Sequence, residues 1–149
     1  MRIKKLLSVA LITCATLSST TVANANAKDS YLPTGYISST KVVFSDTRDK
    51  DDYSSHYIYN TCGLALMAVS YYTNPSPDKN VTKNGGAVIP GDAERAIKNY
   101  VRETYDKGHG AGQKCKCRLY LRAYVSGSSG TLHGKWSPDS VGNLIVANP

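Results

Sequence analysis

Residues 117–125 alternate without a break, with Cys117, Leu119, Leu121 and Ala123 on one side and Arg118, Tyr120, Arg122 and Tyr124 on the other. A period of two belongs to the β-strand, so this stretch predicts a strand with one face on a core and the other toward solvent. Shorter runs of the same character precede and follow it. Residues 34–44 and 54–59 are rich in β-branched and aromatic types and read as strands. Residues 64–72 form an apolar run without charge, and Gly63 before it and Val69, Tyr71 and Tyr72 within it favour a buried strand. Residues 74–90, with their prolines and glycines, predict a loop carrying one short strand. Gly127 and Gly130 predict a hairpin turn into a strand over 131–136, and residues 144–147 a last one. One helix is expected over 93–106, capped by Asp92 and stopped by Gly108, because Ile97, Tyr100, Val101 and Tyr105 recur at helical spacing. Residues 47–53, dense in Asp, Arg and Lys, read as a solvated charged turn. The expected fold is mainly β, a small antiparallel sandwich or barrel with one short helix.

The N-terminus reads differently. Arg2, Lys4 and Lys5 precede an apolar stretch over 6–12 that is far shorter than the roughly 20 residues a membrane-spanning helix needs. The small-residue run Val22-Ala23-Asn24-Ala25-Asn26-Ala27 follows. These are the three regions of a secretory signal peptide, with cleavage after Ala27 or, in the overlapping site, Ala25. Residues 1–27 are therefore expected to be removed, leaving residues 28–149 as one secreted β-rich domain with no transmembrane segment. Processing would lower the formal net charge of +7, since three of the 18 Lys and Arg lie before residue 6. What remains is uneven: residues 28–78 carry 4 basic and 6 acidic side chains, and residues 79–149 carry 11 and 5. Such asymmetry suits an anionic partner of the extracellular or envelope space. No nucleic acid is expected.

Eleven Tyr stand against one Phe and one Trp, and Tyr suits both half-buried strands and contact surfaces where a ring and a polar tip are needed together. The row Arg118, Tyr120, Arg122 and Tyr124 is accordingly the candidate binding surface. Of four cysteines, Cys14 would leave with the signal. In an oxidising compartment Cys62 is expected to form a disulfide with Cys115 or Cys117, leaving one sulfur over. Three cysteines with His109 or His133 lack the paired spacing of structural zinc sites, so no metal or other cofactor is expected. The chain has no HExxH, GxSxG, phosphate loop or CxxC.

Two resemblances bear on function. The segments Arg48-Asp49-Lys50-Asp51-Asp52-Tyr53-Ser54-Ser55-His56-Tyr57, Ile97-Lys98-Asn99-Tyr100-Val101-Arg102-Glu103 and Gly134-Lys135-Trp136-Ser137-Pro138-Asp139-Ser140 together resemble a group of small secreted proteins of Gram-positive bacteria with a terminal Gly-x-Trp-Ser-Pro-Asp-Ser motif. This likeness implies an exported, compact β domain. It implies no catalytic activity and is compatible with an antimicrobial or competition factor. The chain departs from the group in its cysteines and its Gly-rich 108–112 loop. Separately, Asn60-Thr61-Cys62-Gly63 and the apolar run after it resemble the nucleophile segment of papain-like peptidases that cleave double-glycine leaders. That likeness implies Cys62 as nucleophile at the start of a helix, His133 as base and Asn148 in the orienting position. Here Asn148 stands in place of Asp, the Gln expected before the cysteine is missing, and Cys115 and Cys117 compete for Cys62. A non-enzymatic secreted binding protein is the expected function, and a cysteine peptidase the alternative.

Overall fold

The computed structural model describes residues 28–109 and 113–149, so the signal-peptide expectation for 1–27 lies outside the described residues. In chain order the strands are β1 (Ser30–Tyr31), β2 (Gly35–Ser38), β3 (Val43–Phe44), β4 (Arg48–Asp49), β5 (His56–Asn60), β6 (Leu66–Tyr72), β7 (Lys79–Asn80), β8 (Ala87–Ile89) and β9 (Ala93–Ile97). The helix α1 (Val101–Gly108) follows, then β10 (Lys116–Ala123), β11 (Ser129–Leu132) and β12 (Gly134–Ser137). One antiparallel sheet runs β1-β12-β5-β9. A second is built on the β10–β6 pair, with β3 and β4 along the free side of β10 and β7 and β8 along the free side of β6. β2 and β11 form a separate ribbon. The result is a mainly β, sandwich-like domain with one short helix, as expected. No helix among the described residues is long and apolar enough to cross a membrane.

Alternation explains which side of each sheet meets the core. On β10 the residues Cys117, Leu119, Leu121 and Ala123 are buried, and on β6 they lie opposite Tyr72, Ser70, Ala68 and Leu66. From the other sheet Ile58 and Trp136, paired across β5 and β12, supply the facing layer, and all but the small Ser70 and Ala123 join one apolar cluster. Complete burial of a side chain such as Ile58 or Leu121 contributes about 1.5–3 kcal/mol. Helix α1 closes one end of β6 with Val101 and Tyr105, whose i, i+4 spacing puts both on one face. The Tyr105 ring meets Tyr72 edge-on at 6.5 Å.

Five local expectations are corrected. Residues 93–97 are strand β9, paired with β5, and Asp92 is a turn residue with φ 51° instead of a helix cap. Only Val101 and Tyr105 of the apolar series use the helical period, while Ile97 serves the strand face opposite His56. The run 34–44 splits into β2 and β3. The predicted hairpin after β10 does not form, because β11 pairs with β2 and β12 with β1 and β5. The charged turn 47–53 is not fully solvated: Arg48–Asp49 pairs with β10, and Lys50 is only 1% exposed. The tail expected as a strand makes a single parallel bridge, Val146 to Ala96, on the outer edge of β9.

Candidate functional site

Residues two apart on a strand share a face, so Arg118, Tyr120 and Arg122 lie in a row on the side of β10 turned away from the core, and Tyr124 follows just past the end of the strand. Neighbouring strands add side chains that the linear pattern did not pair with them. Tyr120 sits between Phe44 and Val69, and Arg118 lies beside Tyr71. The Phe44 and Tyr120 rings meet edge-on at 5.6 Å, and Tyr71 leans on Tyr120 at 6.0 Å. The Arg118 guanidinium stacks 4.2 Å over Phe44 and pairs with Asp78 at 2.6 Å. Arg122 donates to the Ser39 carbonyl at 3.1 Å, and among the described residues it has no carboxylate within ion-pair distance. Phe44 and Tyr124 remain 42% and 47% exposed. The face is thus a set of aromatic rings carrying two guanidinium groups, one neutralised and one held only by carbonyls. Cation–π stacking and cross-strand aromatic contacts hold its geometry without a ligand. Tyr71 and Phe44 reach this face only through the pairing of β6 and β3 with β10, and Asp78 directly precedes β7, so none of the three was placed here by the linear pattern.

The peptidase constellation is only partly assembled. Cys62 and His133 border one open cleft of about 520 Å³ between the segments 61–64 and 129–133. The Cys62 thiol, however, donates to the Asn60 Oδ1 at 2.9 Å. Asn148 is held at the opposite end of β9: its Oδ1 accepts from the Lys98 N–H at 2.8 Å, and its amide donates to the Lys83 and Lys98 carbonyls. Asn60 pairs with Ala93, so five residues of strand, roughly 16 Å, separate that end from Lys98. The residues after Cys62-Gly63 form strand β6 and not the helix that the resemblance implies.

The disulfide expectation is also overturned, for Cys62, Cys115 and Cys117 are all buried free thiols. In the β6–β10 register Cys117 lies opposite Tyr72, whereas Cys62 precedes Leu66, opposite Ala123 at the far end. Six residues of strand span about 20 Å, and a disulfide needs Cα atoms within about 7 Å. Cys115 and Cys117, two apart, point to the same buried side. Burial pushes the Cys115 thiol up to about 12 and that of Cys117 further still, so both are poor nucleophiles. Among the described residues no group of three or more His, Cys, Asp and Glu is placed to hold a metal ion.

A polar knot that sequence reasoning missed joins the segments around residues 50 and 139. Lys50 Nζ donates to Asp139 Oδ1 at 2.6 Å and to the Pro138 carbonyl at 2.7 Å, with Asp52 Oδ1 at 3.7 Å. The Asp51 N–H donates to Asp139 Oδ2 at 3.1 Å. His56 donates from Nδ1 to the Pro138 carbonyl, and its Nε2 accepts from the Ser70 hydroxyl, each at 2.6 Å. Trp136 covers the imidazole edge-on at 5.9 Å, and Arg48 lies 5.8 Å over the indole. Lys50, His56 and Asp139 are at most 1% exposed. Burial, reinforced by the Lys50 charge, lowers His56 to about 3, so the imidazole is neutral. Burial pushes the Asp139 carboxyl up, but the hydrogen bond and charge of Lys50 outweigh it and hold the carboxyl below its ordinary value. The Ser70–His56 contact has the elements of a nucleophile and base, yet no substrate reaches it, and it acts as a structural lock.

No curated protein and no solved structure matches this chain. A family model described as a protein of unknown function, DUF2712, matches residues 19–140, most of the sequence, and the chain belongs to that family.

Proposed function

We propose that this chain is a secreted, non-enzymatic binding protein of the extracellular or envelope space, which holds an anionic partner against the outer face of β10. The observation that carries the reading is the cluster Phe44, Tyr71 and Tyr120 with Arg118 and Arg122, a ringed and cationic sheet face left partly exposed. Aromatic faces take up the apolar side of a ligand, and guanidinium groups pair with carboxylate or phosphate in a fixed fork geometry. The excess of basic side chains beyond residue 78 favours the same sign of partner. The signal-like N-terminal pattern and the likeness to small secreted Gram-positive proteins support the location. An antimicrobial or competition role belongs to the same reading.

Cosedimentation with purified Gram-positive walls, before and after extraction of their anionic polymers, tests it. The protein binds the intact walls, and the variant carrying Arg118→Ala, Tyr120→Ala, Arg122→Ala and Tyr124→Ala binds at least about tenfold less, equivalent to about 1.4 kcal/mol. Unchanged adsorption of that variant overturns the assignment of the surface.

A further inference from the structure

The Lys50–Asp139 contact differs from an ordinary ion pair in three respects. Amine and carboxyl are 1% and 0% exposed, so water competes with neither. A second carboxyl, Asp52, lies 3.7 Å from the same nitrogen. A backbone donor, the Asp51 N–H, is aimed at the Asp139 oxygen that Lys50 does not touch. An amine, a carboxyl, a proton carrier and an oxyanion donor in a desolvated site are the parts needed to form an amide.

We propose that Lys50 and Asp139 condense without an enzyme into an intramolecular isopeptide bond, Asp52 relaying the proton. A charged pair out of water is costly, and passing one proton from Nζ to Asp139 Oδ1 leaves a neutral amine beside a neutral acid. Nζ then attacks Cγ, and the charge that develops on Oδ2 falls on the Asp51 N–H. Asp52 takes the second proton from the nitrogen and returns it to the Oδ1 hydroxyl, which leaves as water. Lys50 keeps one hydrogen on its nitrogen, Asp52 ends as it began, and no oxidant or other reactant is consumed. The bond would join residues 89 apart in sequence and fasten the end of β4, on one sheet, to the end of β12, on the other. A covalent clasp between the two sheets suits a domain without disulfides, and it depends on no ligand at the β10 face.

Mass spectrometry of the purified, reduced and denatured protein decides the matter, with its N-terminus mapped in the same digest. The expected mass is one water below that of the mapped sequence, with a branched peptide joining Lys50 to Asp139. Lys50→Arg and Asp139→Ala each restore the full mass, and Asp52→Ala slows the loss of water at least tenfold in freshly made protein. Full mass in the unaltered protein overturns the proposal. So does a water deficit that persists in Lys50→Arg, since that would be a succinimide at Asp139-Ser140.

Discussion

A histidine enclosed by Trp136, Ser70 and the Pro138 carbonyl cannot gain a proton without losing a hydrogen bond or burying a charge beside Lys50. Its folded value of about 3 lies below the 6.5 of the unfolded chain, so between these limits the unfolded state binds more protons. Stability from this group is complete above the upper limit and drains away as the pH falls toward the lower one, at up to about 1.4 kcal/mol per pH unit. In protein in which Lys50 and Asp139 have not condensed, the Asp139 carboxyl, depressed by Lys50, adds a loss of the same sign below the ordinary carboxylate value. Urea unfolding at neutral pH and near pH 4 will therefore show a steeper acid loss for the unaltered protein than for His56→Gln. At neutral pH that variant will be less stable by about 1–3 kcal/mol, because Ser70 or Pro138 loses its partner. None of this was legible locally. Lys50 stands in a run of charges that looks solvated, and its partner is 89 residues away.

At the scale of elements, β10 was legible because its alternation is local, and β9 was not because its first residues take their conformation from pairing with β5. The outer edge of β9 would be an open row of backbone groups, and the C-terminal tail occupies part of it. The Ala96 N–H donates to the Ile145 carbonyl, and the Ala147 N–H donates to the Ala96 carbonyl. Asn148, the residue read from sequence as an orienting group for catalysis, is the clamp on this tail. Asn148→Ala strands the Lys98 N–H and two carbonyls and should cost about 1–3 kcal/mol in chemical denaturation. Removing residues 145–149 should in addition raise the sedimentation coefficient at high concentration, since an uncovered strand edge pairs with a second chain.

For the whole molecule, export and cysteine content together suggested a cross-link between Cys62 and the 115–117 pair, and the antiparallel register of β6 and β10 puts those sulfurs at opposite ends of the domain. Denatured without reductant, the protein should titrate all three thiols of residues 28–149 with a chromogenic disulfide reagent. In the folded state Cys115 and Cys117, buried and raised in pKa, should react at least a hundredfold more slowly than in the denatured chain. A missing pair of thiols would contradict this arrangement.

The mainly β class, the burial of β6 and the outward row of β10 were set by the amino-acid sequence alone, because an uncharged apolar run and side-chain alternation along one strand are local properties. The tertiary structure decided which charges are buried, which cysteines can meet and which residues share a site. Lys50 and Asp139, or Tyr120 and Phe44, become neighbours only through strand order and register. A lysine in a charged run looks the same in sequence whether water or a buried carboxylate faces it.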